Sequence, residues 1–264
     1  MKSLKIGIML LALLLAAMAM VPMVSAVEDS GQAINPDFVA TSTHQIDSAV
    51  QSMTKDEFDT YVSEMVEKYG SDTTKGLKAL DAMDVVIPYP DTYHAEFQNA
   101  WTENLTSGPG GISGSSSCAL VLYKATATDP QGKDHYFYYL WTSAKPKGSY
   151  YLYDFWNKLD LTNGNSRIIS YSPGSTIFAN GQPVTVSSSI TYGGVSYSIS
   201  KQYTLNQDRI EPTDDTVNGY GGLFGVEWIG HYNHAQEIAG VMHVDVPAGQ
   251  SLTGTWTNYL YSYI

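Results

Sequence analysis

Between Val184 and Leu205 apolar and polar residues alternate along the chain. Val184, Val186, Ile190 and Tyr192 are spaced by Thr185, Ser187, Ser189 and Thr191. After Gly193-Gly194, Val195, Tyr197 and Ile199 are spaced by Ser196, Ser198 and Ser200. A period of two on both sides of a two-residue glycine turn predicts a β-hairpin. Folding at that turn sets Tyr192 opposite Val195, Ile190 opposite Tyr197 and Ser188 opposite Ile199. The apolar side chains then gather on one face and the hydroxyls on the other.

Strand patterns also cover 118–128, 135–142, 150–156 (extending toward 161), 223–232, 239–246 and 252–263. Turn signals at Asp129-Pro130-Gln131-Gly132, Asn163-Gly164, Pro173-Gly174 and Asn180-Gly181 separate them, and predict a continuous meander over 150–205. About ten strands exceed one comfortable sheet, so residues 118–264 read as an antiparallel β-sandwich.

Upstream the period changes. Ile46, Ala49, Val50 and Met53 have helical spacing, and Thr54 with Glu57 forms a capping box ahead of Phe58, Val62, Met65 and Tyr69. Gly70 closes that helix. A short helix over 73–82, an extended stretch over 85–90 and a helix begun at Asp91 with Phe97 and Trp101 on one face complete the reading. Residues 27–106 are thus expected to form a small acidic helical segment. The Gly/Ser-rich 107–117 is expected to link it to the sandwich. The class is mainly β, α+β overall.

Composition adds a destination. Lys2 and Lys5, the uncharged apolar run Ile6–Met20 and Val24-Ser25-Ala26 have the form of a signal peptide over 1–26, so export is expected. No later apolar run suits a stable membrane span in the mature chain. The 14 basic residues less Lys2 and Lys5 leave 12 against 26 acids, a net of −14. That balance argues against nucleic acid as a partner. The single Cys118 excludes an intrachain disulfide and begins an apolar run, which suits a buried residue better than a nucleophile.

Candidate chemistry is sparse. Glu227 and His231 share one face of a predicted strand, and His243 shares the polar face of the next with Asp245. Pairing of those strands through an odd-length loop would bring Glu227, His231 and His243 together as zinc ligands with a position left for water. Asp208, Glu211, Asp214, Asp215 and Asn218, followed by glycines, offer oxygen ligands for calcium on an expected loop over 206–222. Nucleophile-elbow, phosphate-loop and dinucleotide fingerprints are missing from the sequence. Many strand tyrosines, including Tyr138-Tyr139 and Tyr150-Tyr151, put rings on both sheet faces.

Three functions follow as expectations. The first is a secreted, non-enzymatic β-sandwich that binds a cell-surface glycan or an envelope protein through exposed rings. The second is a secreted hydrolase, metal-dependent if the zinc constellation forms, with residues 27–105 as a pro-segment. The third is a membrane-permeabilising protein whose hairpin 184–205 lines a pore after oligomerisation.

Overall fold

The computed structural model describes residues 34–70, 91–93, 95–179, 183–206, 208–215 and 221–264. The expected signal peptide, the 73–82 helix, the 85–90 stretch and the Asn180-Gly181 turn lie outside them. From Pro36 to Ile264 the chain forms one compact unit.

The described residues are mainly antiparallel strands with one α-helix. A six-stranded sheet has the order β1 (Val39–Asp47), β14 (Thr253–Tyr263), β6 (Tyr151–Leu161), β12 (Gly222–Tyr232), β11 (Arg209–Asp215), β8 (Ile177–Phe178). A five-stranded sheet has the order β3 (Ala95–Ser107), β4 (Gly114–Ala125), β5 (Lys133–Pro146), β13 (Gln236–Pro247), β7 (Arg167–Ser172). A third sheet holds β2 (Asp91–Tyr93), β10 (Val195–Thr204) and β9 (Pro183–Tyr192). The helix α1 spans Lys55–Gly70.

The two larger sheets face each other across the main core, with Trp228, Phe155, Phe224, Trp256 and Leu140 all buried. Asn157 crosses this core. Its amide donates to the carbonyl oxygens of Trp141 (3.0 Å) and Ala119 (3.3 Å) and to Thr142 Oγ1 (3.3 Å), and its oxygen accepts from Trp256 Nε1 (2.7 Å). One fully buried side chain therefore ties β6 and β14 to β4 and β5. The sheets approach closely at Gly240. A Cβ there would lie 2.7 Å from Val226 Cγ1 and 3.0 Å from Phe224 Cε1. Gly240→Val is expected to lower stability by about 1–3 kcal/mol through overpacking, measured by denaturant unfolding.

The Thr54–Glu57 capping box forms as the spacing predicts. Thr54 N donates to Glu57 Oε2 at 2.8 Å, and Glu57 N donates to Thr54 Oγ1 at 3.3 Å. The rest of the upstream reading changes. Residues 39–47 and 95–107 are strands, not helices. Phe97 and Trp101 are four apart, a spacing that fits period two as well as period 3.6, and a register shift between Phe97 and Asn99 blurs the alternation further. Residues 107–117 are not a free linker. Pro109–Gly111 is a tight 3-10 turn, and Gly114–Ser117 already belongs to β4, paired with β3. The expected meander over 150–205 is also replaced. β6 pairs with β12 and β14, β7 with β13, and β8 with β11; among the described residues of that stretch only β9 and β10 pair with each other as chain neighbours.

Candidate functional site

The hairpin forms in the register the alternation predicts. Tyr192 faces Val195, Ile190 faces Tyr197 and Ser188 faces Ile199. Gly193 and Gly194 take φ of 60° and 77°, the left-handed values such a turn needs. Each strand has ten residues. One face carries Val184, Val186, Ser188, Tyr197, Ile199 and Tyr203, all buried. The other carries Thr185, Ser187, Ser189, Thr191, Ser196 and Gln202, all exposed. Lys201 is the hairpin's one charged residue. It pairs across with Val186, on the inward face and near the end of β10 away from the turn.

The hairpin lies on the five-stranded sheet, with β9 against β13 and β7 and β10 against β13 and β3. It takes the side opposite the main core. Gly240 points at Val226 and Phe224 across that core, whereas His135, opposite Asp245, meets the hairpin residue Tyr192 with ring centroids 5.2 Å apart. Alternation then assigns Tyr139, Phe137, His135, Val241, His243 and Asp245 to the hairpin-covered face. Both rings of Tyr138-Tyr139 are consequently buried, one on each face.

That covered face is unusually polar. His135 Nδ1 and His243 Nε2 are 2.9 Å apart, and His135 Nε2 lies 3.1 Å from Asp129 Oδ2. Arg167 donates to Asp245 Oδ2 at 2.6 Å. Among the described residues, Tyr139 Oη, His243 Nδ1 and Asp245 Oδ1 have no hydrogen-bond partner despite burial. Burial, and then the neighbouring His135, push the His243 imidazole down to about 3. Asp129 stays below the usual carboxylate range: burial opposes this, but hydrogen bonds from Lys133 N, His135 and Gln131 N outweigh it. Orphaned polar atoms are costly in a permanent core, at about 1–3 kcal/mol each. Three of them sit on this one covered face.

The expected zinc constellation does not assemble. Glu227 and His231 are on β12 in the six-stranded sheet, while His243 is on β13 in the five-stranded sheet. Gln236 follows Tyr232 closely, but the chain changes sheets there instead of closing a hairpin, so Glu227 pairs with Trp156 and Glu211, not with His243. His243 is bound to His135 instead. Of the expected calcium loop, Arg209–Asp215 is strand β11. In its backbone pairing Asp214 faces Phe224 and Asp215 faces Leu223, Asp208 accepts from His231 N at 2.7 Å, and Glu211 pairs with Arg209 at 2.7 Å. Asn218 lies outside the described residues. Among the described residues no group of three or more His, Cys, Asp or Glu is arranged to hold a metal ion.

Glu227 and His231 do share one face, as their spacing predicts: the outer face of the six-stranded sheet. An aromatic strip runs along it. His231 stacks on Tyr151 at 4.0 Å and lies 4.9 Å from Tyr153, which in turn meets Tyr261 at 5.7 Å. Trp156 is held between Tyr259, with planes 5° apart, and the Lys158 ammonium 4.2 Å from its centroid. Lys158 also reaches Glu227 at 3.2 Å. Gly225 leaves room for the Lys158 stem: a Cβ there would stand 2.3 Å from Lys158 Cγ. Asp154 beside them has its carboxyl pushed well up, by burial and then by Glu227. The rings spend their flat faces on one another and on Lys158, and so present edges and hydroxyls outward.

No family model and no curated protein matches the chain. Among solved structures it is similar to a "pore forming protein" at 10% identity and TM-score 0.38, over 64% of this chain and 84% of that one. It is also similar to the Clostridium perfringens NetB toxin in its membrane-inserted form, at 8% identity and TM-score 0.31, over 66% of this chain and 85% of that one. Both likenesses are too slight to carry a conclusion.

Proposed function

We propose that the protein permeabilises membranes by releasing the β9–β10 hairpin and pooling it with hairpins of other copies. The supporting observation is the hairpin's construction. Two ten-residue strands suit the roughly 9–11 residues of a tilted membrane strand. One face is apolar except for Ser188 and Lys201 and the other bears uncharged hydroxyls and amides, the alternation a water-filled barrel needs. Lys201 lies near a strand end, where its long stem lets the charge reach an interface at modest cost.

The hairpin's attachment suits departure. Its backbone bonds to the described remainder of the sheet run through three residues of β2, and β9 is the sheet's other edge. A lone hairpin in lipid would leave both edges unsatisfied, so insertion requires closure with further copies. The glycan and envelope reading draws on the aromatic strip, whose ring faces are already occupied.

Dye release from liposomes tests the proposal directly. The wild-type protein is expected to release dye and to form conducting channels in planar bilayers. Ser187→Lys changes an exposed position, so stability is expected to move by less than about 0.5 kcal/mol. Its channels are expected to shift selectivity toward anions. Release that never occurs, or channels whose selectivity ignores residue 187, count against the reading.

A further inference from the structure

We propose that the His135–His243 pair is an acid-operated latch for the hairpin: with His243 neutral Tyr192 stays docked, and protonation of His243 frees it. This rests on the hairpin-release reading above and adds the condition that triggers release. Asp129 only accepts, so His135 Nε2 carries the proton that points at it. His135 Nδ1 is then the acceptor, and His243 Nε2–H donates to it. The remaining atom, His243 Nδ1, is buried with no hydrogen-bond partner among the described residues, and the Phe137 ring stacks on the imidazole at 4.8 Å.

A proton arriving at that nitrogen creates a buried cation whose new N–H has no hydrogen-bond partner in the docked arrangement among the described residues. The cost disappears once the hairpin lifts and water enters. Docking and protonation are therefore opposed, and each weakens the other. The lid over the pair is the hairpin tip. Tyr192 covers His135, its hydroxyl donates to the carbonyl oxygen of Ala127, and its ring stacks on Tyr197 at 4.8 Å. The turn 126–132 that supplies Ala127 also supplies Asp129, so one short loop holds both the lid and the hydrogen-bond partner of His135.

Other charged and titratable groups surround the pair. Asp134 is paired with Lys124 of β4 (2.8 Å), and Asp245 with Arg167 of β7. The hairpin contributes Tyr192 and Tyr197, with Lys201 and Tyr203 farther along, where Glu237 of β13 accepts from Trp141 Nε1. Asp134 is held below the usual carboxylate range: burial opposes this, but Lys124, Thr128 and Gly249 N outweigh it. Of the carboxylates near the pair, Asp134 and Asp245 already have cation partners, and Asp129 accepts from His135. The sign follows from His243. Its folded value lies below the ordinary one, so docking stability is fully present above about pH 6.5 and is lost as pH falls toward 3.

Hydrogen exchange of the full-length protein without membranes reads the latch by itself. Between pH 7 and 5, protection of β9 and β10 amides, corrected for intrinsic rates, is expected to fall on the order of tenfold while β4 amides hold. His243→Phe removes the titrating ring and is expected to abolish the fall. If that variant does not fold, His243→Gln, which also removes the titrating ring but keeps an N–H donor toward His135, carries the same expectation. Unchanged protection at pH 5, or an equal fall in the variants, overturns the latch. Acid-loosened exchange with no dye release at pH 5 upholds the latch and overturns the permeabilising reading instead. Release equal at both pH values, with unchanged exchange, overturns the latch alone.

Discussion

A protein carrying Ser170→Cys and Ser188→Cys will release no dye from liposomes when oxidised, and will recover wild-type release on reduction. Ser170 on β7 and Ser188 on β9 already meet, with Oγ atoms 2.7 Å apart. A disulfide needs Cβ atoms about 3.5–4.5 Å apart, and two serines whose Oγ atoms already touch face each other as such a bridge requires. The bridge would fasten the hairpin to the sheet it must leave. It would also stabilise the soluble protein by about 3 kcal/mol, as expected for a loop of this length. At least a tenfold difference in release rate between oxidised and reduced protein is expected, because a tethered hairpin cannot join a barrel. Equal rates in the two states would show that release, if present, uses some other part of the molecule.

The second large effect concerns the joint between the two main sheets. Asn157→Leu removes the acceptor of Trp256 Nε1 and three amide contacts at once, in a site with no exposure. The stranded indole N–H alone costs about 1–3 kcal/mol. With the lost bonds a total of about 3 kcal/mol is expected, read as a fall in Tm of about 6–12 °C. Adding Trp256→Phe removes the stranded donor, so the double variant is expected to recover part of the loss. A single variant that melts within about 2 °C of wild type, or a double variant with no recovery, would deny Asn157 this role.

These two sites differ in how legible they are. The hairpin could be read to the residue because its information is local: a glycine pair, a period of two and one register that sorts the faces. The capping box at Thr54 is local in the same sense. Asn157 gave no sign in sequence, since a polar residue within a strand reads as outward-facing until its partners on β4, β5 and β14 are known. The zinc reading failed for a related reason. Alternation says which face of a strand Glu227 or His243 occupies, but not which sheet the strand joins. The corner between Tyr232 and Gln236 sends β13 to the other layer. His135, the true partner of His243, lies 108 residues away, and only the pairing of β5 with β13 brings them together.

Cys118 sits on β4 of the five-stranded sheet with no exposure, and burial pushes its thiol up to about 12. In neutral solution it is chemically silent. A thiol-reactive fluorophore attached to a new cysteine at Ser196 or Thr191, both exposed beside the turn, will label that position alone. The native chain thus comes ready for distance and polarity measurements that follow the hairpin tip in time, with no background thiol to remove first.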